Sequence, residues 1–143
     1  MDRHALLEQG PHRTGYRLST LRETFEAIQT GESPWIAIGS FLDDWRRAAA
    51  AQRPLLLADP IEISVGHPLR RWAALLAAIA EWLCHSATPQ LASPSWTLDP
   101  ALTLPQPWFL VDGVSMRGWQ IAQSPAPFRA RNIFTDDGVV ARV

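Results

Sequence analysis

A chain of 143 residues is the size of one ordinary domain, and 47% hydrophobic with 19% charged residues excludes both a disordered and a membrane-embedded class. The formal net charge of -1 supplies no global basic field of the kind that drives nucleic-acid binding, although all thirteen basic residues are arginine. Cys84 is the only cysteine, which excludes an intrachain disulfide and a cysteine-ligated zinc finger.

Residues 1–17 read as a flexible arm with one short candidate helix, Ala5 to Gln9, before Gly10-Pro11 and Gly15 break the pattern. Met1-Asp2-Arg3-His4 leads into no apolar run of the secretory kind, so a cytoplasmic address is expected. Thr20-Leu21-Arg22-Glu23 is a capping box, and the spacing predicts a helix from there to Thr30, with Gly31 as a left-handed stop. Leu21, Phe25 and Ile28 supply its apolar face.

Ser33 as cap and Pro34 at the first helical position open a second helix, expected to end near Gln52, before Pro54. Trp35, Ile38, Leu42, Trp45 and Ala49 form one stripe, while Asp43, Asp44, Arg46 and Arg47 fall away from it. Leu55 to Val65, interrupted by Pro60, reads mostly as loop, although Leu55-Leu56-Leu57 and Ile61 to Val65 suit short extended pieces.

The clearest helix begins at His67-Pro68. Leu69, Trp72, Leu75, Leu76, Ile79, Trp82 and Leu83 line one side. Arg70, Arg71, Ala74, Ala77, Ala78, Glu81 and His85 line the other, whose three alanines offer a surface for a partner helix. The stretch from Trp72 to Cys84 is interrupted by Glu81 and too short to span a bilayer.

From Ala87 to Pro107, five prolines with Trp96, and Trp108 just beyond, read as an ordered wrap over a helical core. Shorter helices follow near Ser115 to Gln123 and after a Ser124-Pro125 cap. No repeat or composition shift marks a boundary, so the expectation is a single mainly α domain over 1–143, with little or no strand.

Chemical signals are sparse. Glu81 and His85, at i,i+4, are half of a metal or acid–base set, yet His4, His12 and His67 lie in weak contexts, so no metal or other cofactor is expected. The adjacent acids Asp43-Asp44 and Asp136-Asp137 read as solvated surface charge. Cys84 has no nucleophile motif around it, and no nucleophile elbow, Walker loop or dinucleotide fingerprint occurs; the chain is not expected to be an enzyme.

The C-terminal region interleaves arginines with aromatics: Arg117, Arg129, Arg131 and Arg142 with Trp119, Phe128 and Phe134. Such a set anchors a protein interface or stacks on bases while touching phosphate. Trp119, Phe128, Arg129, Arg131 and Phe134 are the expected partner-contact residues.

Three stretches carry a resemblance: Ser33-Pro34-Trp35-Ile36-Ala37-Ile38-Gly39-Ser40-Phe41-Leu42-Asp43-Asp44-Trp45, then Pro94-Ser95-Trp96 with Pro107-Trp108-Phe109, then Ser124-Pro125-Ala126-Pro127-Phe128-Arg129-Ala130-Arg131-Asn132-Ile133-Phe134. In this order they resemble the helical region that follows a DNA-binding helix-turn-helix in certain bacterial antitoxin-like regulators, encoded beside nucleotidyltransferase-like toxins. The resemblance covers Ser33 to the C-terminus, and too few residues precede it for that family's full DNA-binding domain. It implies a stand-alone domain that neutralises a toxin by masking its active site or holding it in an inactive complex. A homodimer that hides the same surface is a further expectation. The alternative is a nucleic-acid-binding regulator using the Arg/aromatic region.

Overall fold

The computed structural model describes residues 17–136 and Gly138. The expected helix at Ala5 to Gln9, the arm up to Tyr16, His4, His12, Asp137 and Arg142 lie outside the described residues. The architecture is mainly α, with six helices and one two-stranded sheet among the described residues. The helices are α1 (Leu21–Gln29), α2 (Pro34–Arg47), α3 (Arg53–Ala58), α4 (Arg70–Ser86), α5 (Arg117–Gln123) and α6 (Ala126–Arg129). The strands are β1 (Trp108–Phe109) and β2 (Ile133–Phe134). The chain groups into two compact units, one running to Ile61 and the other starting at Glu62.

In the first unit, α1 starts as its capping box requires. Thr20 Oγ1 accepts from the Glu23 N–H at 3.2 Å, and the Glu23 carboxylate accepts from the Thr20 N–H at 3.0 Å. Arg17 adds a 2.6 Å ion pair to the same carboxylate. Partial burial opposes ionisation of Glu23, but these donors outweigh it and hold its carboxyl below the usual carboxylate range. The helix ends in a Schellman turn: the Gly31 N–H donates to Ile28 and the Glu32 N–H to Ala27. Gly31, at φ +105°, takes the left-handed conformation that this turn demands.

Helix α2 starts at Pro34 as expected, but Ser33 makes no side-chain cap, and the helix stops at Arg47 rather than near Gln52. Buried Gln52 explains the early stop. Its side chain accepts from the Ala49 N–H at 2.8 Å and stabilises a turn out of the helix. Pro54 then sits in the first turn of α3, where its missing N–H costs nothing, so Leu55-Leu56-Leu57 is helical and not extended. Leu56 and Leu57 are buried with Leu21, Phe25, Ile38, Phe41 and Leu42. Asp44 corrects a second expectation: it is 1% exposed and accepts from the Ser19 N–H at 2.9 Å. Only Asp43 of that pair lies at the surface, bonded to Arg46 at 3.2 Å.

In the second unit, residues 62–65 carry no helix or strand, as expected, but α4 begins at Arg70 and not at His67-Pro68, which lie in the turn before it. Every residue from Ala73 to Ala80 is buried, so the alanine side of α4 is interior and is not open to an outside helix. The 3-10 turns Ser95–Leu98 and Pro100–Leu102, together with α6, pack against α4. Alanine lets such neighbours approach closely. The proline-rich segment is thus an ordered wrap, with Thr97, Ala101, Leu102 and Leu104 turned inward.

The chain then closes on itself through a parallel pairing of Trp108 with Ile133 and Phe109 with Phe134. Asn132 precedes β2 at φ +66°, a conformation Asn tolerates better than most residues. Its side chain donates to the Leu104 carbonyl at 3.2 Å, and its own carbonyl accepts from the Trp108 N–H at 2.9 Å.

Candidate protein-binding surface

The five residues singled out at the C-terminal end divide in two. Phe128 is fully buried, and Arg131 is 4% exposed. One Arg131 nitrogen donates to the Glu81 carboxylate and to the Pro127 carbonyl, each at 2.7 Å. The other terminal nitrogen donates to the Thr97 carbonyl at 2.7 Å. A guanidinium needs dense acceptor satisfaction to sit inside a protein, and this one ties α4, the wrap and α6 together. Neither residue is available to a partner in this structure. Glu81, singled out with His85 as half of a metal or acid–base set, pairs with Arg131, while His85 is exposed.

Phe134 is half-buried in β2 and stacks on Phe109 with ring centroids 5.2 Å apart. The Arg117 guanidinium lies over the Phe109 ring at 5.3 Å, extending that stack toward α5. Arg129 is exposed on α6, and Trp119 on α5 is 54% exposed.

Trp119 belongs to a larger apolar group that sequence reading did not single out. Val111, Val114, Met116 and Ile121 are exposed alongside it in the same short segment. Within α5 only Gln120 is buried, at 0% exposure. Its side-chain oxygen accepts from the Val111 N–H at 3.0 Å, and its nitrogen donates to the Val111 carbonyl at 3.0 Å and the Met116 carbonyl at 3.3 Å. At the far end of the helix the Ser124 hydroxyl accepts from the Thr135 N–H at 2.8 Å, and α5 contacts β2. Ser124 therefore joins segments and does not cap α6, whose preceding residue is Pro125.

The burial of α5 is the reverse of an ordinary surface helix, with the polar residue inside and the large apolar residues outside. At about 100° per residue, Trp119 and Ile121 flank the line of Gln120, and Gly118 and Ala122 lie on the outward side. A Cβ added at Gly118 would meet nothing within 4 Å, so that side is open. The clue in the sequence is an absence of pattern: Val111, Val114, Met116, Trp119 and Ile121 share no single helical stripe.

Cys84 is buried, and its Sγ lies 3.8 Å from the Ala92 carbonyl. Burial pushes its thiol up from the ordinary value, against a hydrogen bond with Ser93, and nearby Glu81 adds to the rise. A thiol held protonated is a poor nucleophile. Among the described residues no group of three His, Cys, Asp or Glu side chains is placed to hold a metal ion, and no helix is long and apolar enough to cross a membrane. No protein-family model, curated protein or solved structure matches the chain.

Proposed function

We propose that this chain is a protein-binding module and that residues 111–121 receive its partner. The observation that carries this reading is the reversed burial of α5, which holds Gln120 inside and presents Trp119 and Ile121 to solvent. Large exposed apolar side chains grouped in one segment mark interaction sites, and Trp is a common anchor of such interfaces. The open Gly118 and Ala122 side, flanked by Trp119 and Ile121, suits a partner that lays an apolar helix across it. Exposed Arg117 and Arg129 supply cations for the rim.

Within that class, the ordered Trp, Pro and Phe landmarks from Ser33 to Phe134 support an antitoxin-like role, with a nucleotidyltransferase-type toxin as the partner. The nucleic-acid alternative is weakened because Arg131 is consumed internally and Phe128 is buried.

A tagged pull-down from the native host at moderate salt, with a nuclease-treated control, tests the proposal. One stoichiometric protein that survives nuclease and is lost with Trp119→Ala supports it. Equal recovery with Trp119→Ala, or recovery of nucleic acid alone, overturns it.

A further inference from the structure

A second site lies elsewhere in the same unit, and it does not rest on the docking surface. A cleft of about 380 Å³ opens between the segment before α4 and the proline-rich strand entry, lined by Val65, His67, Arg70, Arg71, Pro107 and Trp108 among others. No Asp or Glu is among its lining residues. Neither Arg70 nor Arg71 has a carboxylate within ion-pair distance among the described residues.

Both guanidiniums are held in place before any ligand arrives. Arg70 donates from Nε to the Ala101 carbonyl at 2.6 Å, and from its two terminal nitrogens to Val65 at 3.1 Å and Thr103 at 2.8 Å. Arg71 lies over the Trp108 ring at 4.4 Å, and Trp72 braces that indole edge-on at 5.1 Å. Two oriented guanidiniums that have carbonyl and π partners but no carboxylate leave net positive charge at the cleft, a field that favours an anion. A dianion answers two cations better than a monoanion, and the guanidinium fork matches phosphate oxygens. The volume exceeds that of a bare phosphate, and Val65, the proline rings and the indole form apolar walls for a compact ring.

We infer that the cleft binds the phosphate monoester of a small ring-bearing molecule, with Arg70 and Arg71 on the phosphate and Trp108 orienting Arg71. Nitrogen-15 NMR of the full chain, following the Trp108 indole and the Arg71 Nε–H, tests this with phenyl phosphate, inorganic phosphate and benzoate as probes. Saturable shifts with phenyl phosphate are expected, with at least about tenfold weaker binding of inorganic phosphate and of benzoate. Arg71→Gln, an exposed substitution, should weaken phenyl phosphate about tenfold and leave the remaining spectrum in place. No saturation by about 10 mM phenyl phosphate, or equal binding by the Arg71→Gln protein, would overturn the site. Benzoate binding as tightly as phenyl phosphate would overturn the phosphate assignment.

Discussion

The side-chain amide of Gln120 pairs with both backbone polar groups of Val111, each at 3.0 Å. A primary amide offers one acceptor and two donors, and here all three roles are used, the third by the Met116 carbonyl. Gln120→Ala leaves these backbone groups without their partner and should cost about 1–3 kcal/mol of stability in the second unit. Gln120→Glu keeps the acceptor but loses both donors, so it should also destabilise. Denaturant unfolding followed by tryptophan fluorescence measures each, and Gln120→Ala unfolding like the unmodified chain would show that the amide does not hold α5.

Arg129 and Arg131 stand two positions apart and should respond in opposite ways. Arg131→Ala leaves the partly buried Glu81 carboxylate without its cation and the Pro127 and Thr97 carbonyls without a donor, which should cost about 3 kcal/mol or more. Arg129→Ala, on the exposed side of α6, should stay within about 0.5 kcal/mol. Paired denaturation curves decide between this division and a surface role for both.

Thr135 is fully buried, and its hydroxyl has no hydrogen-bond partner among the described residues, while its N–H is satisfied by Ser124. Thr135→Val removes an unpaired polar atom at nearly constant shape and should be neutral or stabilising, by up to about 1 kcal/mol. A clear fall in melting temperature would mean that the hydroxyl has an acceptor in solution.

Acid should loosen the start of α1. Because the Glu23 carboxyl is held below its unfolded-state range, its stabilisation is fully present above that range and is lost as pH falls through the folded value. Hydrogen-exchange protection factors at the Thr20 and Glu23 amides, taken relative to the intrinsic rate at each pH, should fall at low pH, and Glu23→Gln should flatten that dependence. Thr20→Ala should cost about 1 kcal/mol at any pH.

Cys84 should react slowly with a thiol reagent in the native protein and rapidly after denaturation. Its raised thiol pKa works the other way from Glu23: the associated stability is present below the unfolded value and lost as pH rises through the folded one. Fast native labelling at neutral pH would indicate that the second unit opens readily around α4.

How much of this was legible depended on whether the deciding contact was local. Thr20 with Glu23, and Gly31, announce themselves within one or two turns, and the structure follows them closely; the apolar series along α4 marks the helix but not the burial of its alanine side. Pro54 is ambiguous by nature, since the same residue ends one helix and opens the next; Gln52, bonding back to Ala49, selects the second use. The partners of Asp44, Glu81 and Gln120 lie 25, 50 and 9 residues away. No helical periodicity reports such pairings, so an arginine bound for the interior looked the same as one at the surface.

The placement of Arg131 also sets an order of events during synthesis. Helix α4 is complete at Ser86, yet the cation for Glu81 arrives 50 residues after it, and Phe128 and Ile133 join the buried interior equally late. A nascent chain that has reached only the proline-rich wrap carries a fully formed apolar segment whose lid is still missing. Such a species is prone to aggregation and is a natural client for a holding chaperone. The second unit therefore cannot complete its buried interior until residues 128–133 are available to it.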